Sequence, residues 1–135
     1  EKGAPMKRGL WLGGVLSALA LTAACNWAGA WYGGPARPVN VLGTGCYVVF
    51  WAVFTFLAGE DSRLRTVSLA AGAIHFFSAV MGLLGRTWLG ALALPFAAPA
   101  AVAFYGLSAW LGWTGLYAAA AGLSALWVFW VTTRR

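Results

Sequence analysis

Charged side chains fall in short clusters along this chain. They stand at Glu1, Lys2, Lys7 and Arg8, at Arg37, at Glu60 to Arg65, at Arg86 and at Arg134–Arg135. Between them lie four runs without a charge, Gly9–Ala36, Pro38–Gly59, Thr66–Gly85 and Thr87–Thr133. Within each run the apolar positions are continuous rather than alternating, which argues against two-faced β-strands. About 20 apolar residues, rising roughly 1.5 Å each, cross a hydrocarbon core of about 30 Å, and every run is long enough. In lipid only helices and closed barrels pair all of their backbone groups, and continuous runs select helices. The expected fold class is all-α, a polytopic transmembrane helix bundle forming a single integral membrane domain over residues 1–135.

The breakers set the boundaries. The pattern predicts a helix over 9–32, ended by "YGGPARP", one over 39–58, ended by "GEDSRLR", and one over 66–84, ended by "GRT". Gly and Pro in these stretches end helices for backbone reasons. The fourth run would make one helix of roughly 70 Å and must fold back. Its expected turn is "GLSAWLGWTG", 106–115, giving helices over 88–106 and 113–132 and five spans in all. The alternative is four spans with 88–106 as a re-entrant hairpin bent at Pro95 and Pro99. Charge separates the two. Five spans put five basic residues (Lys2, Lys7, Arg8, Arg63, Arg65) on one side and four (Arg37, Arg86, Arg134, Arg135) on the other. Four spans make the count seven against two, which the positive-inside rule prefers. The near tie of the five-span arrangement also permits insertion as inverted copies.

Composition strengthens the membrane reading. Hydrophobic residues make up 61% of the chain and charged residues 9%, against roughly a quarter charged in soluble domains. The net charge of +6 flanks apolar runs, where basic residues anchor to headgroups, so it is not a nucleic-acid footprint. Of nine Trp, Trp11, Trp31, Trp88, Trp110, Trp113, Trp127 and Trp130 lie near run ends, as an interfacial belt requires. Residues 1–5 precede Met6 and Lys7–Arg8, so a natural start at Met6 after a cloning remnant is expected. The high Trp content and the lack of a soluble region point to a prokaryotic plasma membrane.

His75, the only histidine, falls near the bilayer midplane of the third run. Helical spacing puts Ser68, Ala71, Gly72, His75, Ser78, Ala79 and Gly82 on one small, weakly polar face, suited to close helix contact or to a cavity wall. An ionisable group inside a span is a functional candidate by default; the alternative is a neutral imidazole bonded to a neighbouring helix. With no second histidine and no carboxylate within a run, neither a metal site nor a cofactor is expected. Tyr47, Phe50, Trp51 and Phe54 follow i, i+3, i+4, i+7 spacing, and the last run carries Trp113, Tyr117, Trp127 and Trp130. Such aromatic faces bind planar apolar molecules or organic cations, or simply pack. Asn26, Asn40 and Thr44 reach similar depth across the first hairpin and can form a polar patch or interhelical hydrogen bonds. Cys25 and Cys46 also share a level and can be two buried small hydrophobes or a pair. Small residues four apart, such as Gly9/Gly13, Gly29/Gly33, Ala93/Ala97/Ala101 and Ala118/Gly122, permit close helix packing or an oligomer.

The pentapeptide "WTGLY", Trp113–Tyr117, resembles the WTxLY motif of the tryptophan-rich sensory protein (translocator protein) family, which has five spans and an aromatic ligand cavity. The likeness covers five residues of 135. It opens the last run here, whereas the motif belongs to that family's second span, and the family's other signatures are absent. It is a local likeness, not a family assignment.

No phosphate loop, zinc spacing or serine-nucleophile elbow occurs, and no apolar run holds Asp, Glu, Lys or Arg, which disfavours carboxylate-driven exchange and charged-ring channels. Three function classes remain. The first is binding or transport of a small apolar, aromatic or organic-cation molecule in an intramembrane pocket built from His75, Tyr47, Trp51, Ser78, Phe54, Tyr117 and Trp113. The second is a non-catalytic subunit or assembly partner of a larger membrane complex, alone or as a homo-oligomer. The third, a membrane-embedded lipid-modifying enzyme, needs a polar cluster at one surface from Asn26, Asn40, Glu60 or Asp61. No catalytic residue is assigned, and the reading leans away from an enzyme.

Overall fold

The computed structural model describes residues 4–58, 60–85 and 87–134, and all of its regular elements are helical. Glu1, Lys2, Arg86 and Arg135, which enter the charge count, lie outside the described residues, as does most of the 1–5 remnant. Helix α1 spans Ala4–Tyr32, α2 Pro38–Leu57 and α3 Ser62–Leu84. Then come a short α4, Gly90–Ala93, a 3₁₀ turn, Leu94–Ala97, α5, Ala98–Phe104, a second 3₁₀ turn, Tyr105–Leu107, and the long α6, Ser108–Thr133. Four helices, Arg8–Tyr32, Pro38–Leu57, Ser62–Leu84 and Leu94–Thr133 taken as one stretch, are long and apolar enough to cross a membrane, consistent with an integral membrane protein.

The first three expected helices sit within a few residues of their sequence boundaries. Helix α3 begins at Ser62 rather than 66 because Asp61 caps it: its Oδ1 accepts the N–H groups of Arg63 (3.0 Å) and Leu64 (3.3 Å). Such a cap pairs donors that a helix start leaves unmatched. Helix α2 starts on Pro38, whose missing N–H costs nothing at a first turn, and Asn40 Oδ1 accepts Arg37 N–H at 2.7 Å. The expected continuous helix over 88–106 is not present as one piece. Pro95 and Pro99 each remove a donor, and the stretch breaks into the short helical pieces just described. Within the stretch 106–115, where a turn is expected, the chain kinks at Gly112, whose backbone (φ 64°, ψ −174°) interrupts α6. This positive φ is open to glycine at little cost.

Pairwise contacts fix the register. Helix α2 runs antiparallel to α1: Trp11 meets Phe54, Gly14 meets Phe50 and Cys25 meets Gly43. It also runs antiparallel to α3, with Tyr47 beside His75 and Thr55 beside Ser68. Helix α6 lies antiparallel along α3, Tyr117 over Gly82 and Trp127 and Val128 over Gly72. A Cβ on Gly82 would fall inside the Tyr117 ring, so the helices approach through that missing side chain. The buried face of α3 is Leu64, Ser68, Gly72, His75, Ser78, Ala79 and Gly82, the small, weakly polar stripe read from its spacing except that Leu64 joins it and Ala71 is only half-buried.

The hairpin ends differ in chemistry. At one end Arg8 Nε donates to Asp61 Oδ2 at 2.7 Å, joining the start of α1 to the cap of α3, and Arg134 donates to Phe56 O at 2.9 Å while lying over the Phe56 ring. At the other end lie Arg37 and the Gly33–Gly34 turn. Both cysteines are free thiols, Cys25 half-buried and Cys46 exposed.

Arg8 and the two α3 amides hold the Asp61 carboxyl below the ordinary carboxylate value of about 4. A group whose folded pKa is depressed contributes stability that is complete above its unfolded value and is lost as pH falls through the folded one. Unfolding midpoints in detergent should therefore be flat down to about pH 5 and fall below about pH 4. In Asp61→Asn the midpoint should start lower and depend less on acid.

Candidate functional site

Where a helix breaks inside an apolar environment, the freed N–H and C=O groups need new partners. In an uninterrupted helix Gly106 N–H would donate to Val102 O, four residues back. The chain turns out of helical geometry at Phe104 (φ −111°, ψ 14°), and that bond is replaced by a bridge from two other helices. Asn26 Nδ2 of α1 donates to Val102 O at 2.7 Å and to Thr44 Oγ1 at 3.3 Å. Thr44 of α2 in turn accepts Gly106 N–H at 2.9 Å. Asn40 Nδ2 completes the set, donating to Asn26 Oδ1 (3.2 Å) and Cys25 O (2.8 Å). The start of α5 is served in the same way: Ala100 N–H donates to Ser78 Oγ of α3 at 2.8 Å. All four polar side chains are buried. The patch read from Asn26, Asn40 and Thr44 thus forms, and its work is to hold the broken segment. Ser78 serves the same end rather than a ligand pocket.

His75 sits one layer deeper, 5% exposed. Its Nδ1 lies 2.6 Å from Ala71 O, which can only accept, so Nδ1 carries the proton. Nε2 is then the acceptor for the Tyr47 hydroxyl at 2.8 Å. Both ring nitrogens of the neutral imidazole are satisfied. Around it stand Phe104 (centroids 6.0 Å), Trp127 (5.5 Å) and Tyr47 (5.6 Å), and Trp51 continues the group against Trp127 at 4.9 Å. Trp127, expected in an interfacial belt, instead points its indole N–H inward, to Ser68 Oγ (2.9 Å) and Thr55 Oγ1 (3.0 Å), which themselves bond at 2.6 Å. Trp31, Trp88 and Trp110 do lie exposed.

Two cavities flank the wall made by Tyr47 and Trp51. One, of about 460 Å³, is bounded by α1, α2, α3 and α5 and reaches His75, with Thr22, Trp27 and Ala103 on its other sides. The second, of about 310 Å³, lies between α2 and α6, lined by Phe104, Ser124, Trp127 and Trp130 as well as the shared wall. Its rim residues Val48, Leu123 and Leu126 are exposed on the outer surface. These volumes fall at the small end of the roughly 300–1,000 Å³ typical of ligand pockets. Among the described residues, the buried Ser124 Oγ has no hydrogen-bond partner.

Of the residues nominated from sequence, His75, Tyr47 and Trp51 come together. Phe54 is buried beside Trp51 but faces Trp11 of α1. Trp113 and Tyr117 form a separate ring group with Tyr105 near the Gly34 end and line neither cavity. Phe104, Trp127 and Ser124 were not among the nominated residues; Trp127 belongs to the aromatic positions of the last run, but only the antiparallel α3–α6 register turns it inward. Asp61 bonds Arg8 at the end opposite Asn26 and Asn40, so the residues from which an enzyme reading would draw a surface cluster lie at two different ends. No group of three or more metal-ligating side chains occurs among the described residues. No family model matches the sequence, and comparison with curated proteins and with solved structures returns no significant match.

Replacing Thr44 by Val keeps the shape but leaves Gly106 N–H without an acceptor. Leaving a buried group unpaired costs about 1–3 kcal/mol. Thr44→Val should lose stability of that order in detergent unfolding, and amide exchange at Gly106 should accelerate more than at amides within α3.

Proposed function

We propose that this chain is an integral membrane protein that binds, and in that way stores or moves, a small apolar or aromatic molecule within the bilayer. The observation that carries the reading is the pair of cavities on either side of Tyr47 and Trp51, one reaching His75 and the other rimmed by exposed residues. Their walls are rings and aliphatic side chains, and the polar groups nearby are mostly committed to one another, which favours an uncharged occupant. Entry from the lipid along α2 and α6 fits a lipophilic ligand.

The same proposal includes a topology of four spans with residues 90–107 re-entrant. Four contacts support it. Leu94 packs at Gly85, the last turn of α3. Ala100 is bonded to Ser78, about 10 Å deeper at 1.5 Å per residue. Gly106 is back against Asn40 and Val41, near the start of α2, and Tyr117 lies over Gly82. Entry and exit are then on the side of Arg37, while Arg8, Arg63, Arg65 and Arg134 share the other side, the distribution the positive-inside rule favours for the cytoplasmic face. A prokaryotic plasma membrane is the proposed location.

The subunit reading has one observation in its favour. Gly9 and Gly13 of α1 have nothing within 4 Å of where a Cβ would stand, so this small-residue pair is unused inside the bundle and open to a partner helix.

Thermal unfolding of the purified chain against a library of lipophilic compounds tests the binding reading. Hits should stabilise by about 3 kcal/mol at a hundredfold excess over Kd, and at least one planar hit should weaken in His75→Ala. A library without hits, or hits unmoved in both His75→Ala and Trp51→Ala, would remove the pocket. For the topology, single cysteines at Trp88 and Trp110 in a chain lacking Cys25 and Cys46 should react with a membrane-impermeant maleimide from the same side. Labelling from opposite sides would restore five spans.

A further inference from the structure

We infer that Arg65 and Arg134 hold the phosphate of an anionic lipid headgroup across the mouth of a narrow cleft between α2, α3 and the end of α6. This site is separate from the cavities beside Tyr47 and depends only on the chain lying in a bilayer.

A guanidinium keeps its charge in a protein, so an arginine drawn partly out of water needs a counter-charge or acceptors. At this end of the bundle Arg8 has one, in Asp61. Arg65 and Arg134 are also half-buried, yet neither has a carboxylate in reach; Arg8–Asp61 is the only ion pair among the described residues. Arg134 donates one N–H to Phe56 O at 2.9 Å and lies over the Phe56 and Trp130 rings, 4.7 and 5.8 Å from their centroids. These contacts fix the group in place and leave its other N–H groups uncommitted. Arg65 makes no side-chain hydrogen bond to the described residues. The two arginines line one cleft of about 10 Å³, whose other walls are Thr55, Ser68 and Val131. The Thr55 and Ser68 hydroxyls bond each other and Trp127, so the open chemistry of the cleft is the pair of guanidinium groups.

Two like charges beside one cleft repel, and an anion between them removes that cost. Their level in the membrane says which anion. Thr66 begins one charge-free run and Thr133 ends another, so Arg65 and Arg134 each stand one residue outside the apolar stretch, where headgroups lie. Guanidinium groups meet phosphate oxygens with paired N–H groups. The cleft is too narrow to admit a phosphate, so the group sits at its mouth and the acyl chains run down the outside of the bundle. The exposed Phe56 ring beside Arg134 offers them apolar surface. A zwitterionic headgroup carries a cation of its own next to the phosphate, so a headgroup of net negative charge gains most from the pair.

The test is thermal unfolding of the full chain in phosphatidylcholine nanodiscs containing increasing fractions of phosphatidylglycerol. A salt concentration of about 0.5 M screens diffuse attraction more than direct contact. The midpoint should rise with phosphatidylglycerol and level off, as a filling site requires. A hydrogen bond between charged groups corresponds to about tenfold in affinity. Arg65→Gln and Arg134→Gln should therefore each raise the fraction that gives half the rise by about that factor. Arg63→Gln, at an exposed arginine outside the cleft, should change it little. No rise in the native chain would overturn the inference. So would a rise that survives both cleft substitutions, or one that Arg63→Gln weakens equally, since either is the general pull of a basic surface. Inorganic phosphate added to pure phosphatidylcholine nanodiscs should shift the midpoint no more than chloride at equal ionic strength; a shift as large as the lipid's would overturn the lipid assignment. Where Arg134→Gln fails to fold for want of its bond to Phe56, Arg65→Gln and the native titration decide.

Discussion

One requirement governs this molecule: a backbone group taken out of water must find a partner within the protein. Helices α1, α2 and α3 meet it internally along almost their whole length. The stretch between α3 and α6 does not, because two prolines and a turn at Phe104 open its ladder. The bundle meets the deficit with side chains brought from three helices. Asn26 and Thr44 stand in for the missing bond between Gly106 and Val102, and Ser78 receives Ala100. Removing any of these would leave an unpaired group where no water can replace it.

This arrangement also shapes the interior. A segment that reaches Ser78 and Phe104 and then turns fills only part of the space between α1, α2, α3 and α6. Part of the remaining space is the pair of cavities beside Tyr47 and Trp51. Bulky rings on α2 and α6 face it, while the small face of α3 lets α6 pack closely on the other side. The rings enclose volume because they are rigid and cannot fold down to fill it. The polar contacts therefore support the aromatic wall indirectly, by fixing the piece of chain that bounds it.

His75 is distinguished by position rather than by unusual chemistry. Its ring is held from both nitrogens, by Ala71 and Tyr47, and it lines the cavity bounded by α1, α2, α3 and α5. The polar groups near the surfaces are divided between the two ends of the bundle, and three of them, Asn26, Asn40 and Asp61, are hydrogen-bonded within the protein.

Much of the architecture was legible in the order of residues. Charge-free runs bounded by Gly, Pro and arginine mark the helices, since the length and polarity of a span are local properties of the chain. The buried stripe of α3 and the aromatic stripe of α2 follow from helical spacing, which repeats wherever the helix lies. The fate of 88–106 did not follow from composition, because prolines are tolerated in a spanning helix and equally allow a broken one. Trp127 looked like a surface anchor from its place near a run end, and Ser124 like one more small residue. Which way they face depends on the register of α6 against α3, a relation between residues more than fifty positions apart. The sequence by itself determined that this is a helical protein suited to lipid, with one imidazole at mid-depth. Tertiary structure alone decided which polar groups pair and which stay unpaired, because hydrogen bonds form between atoms brought within about 3 Å, and only packing brings distant helices that close.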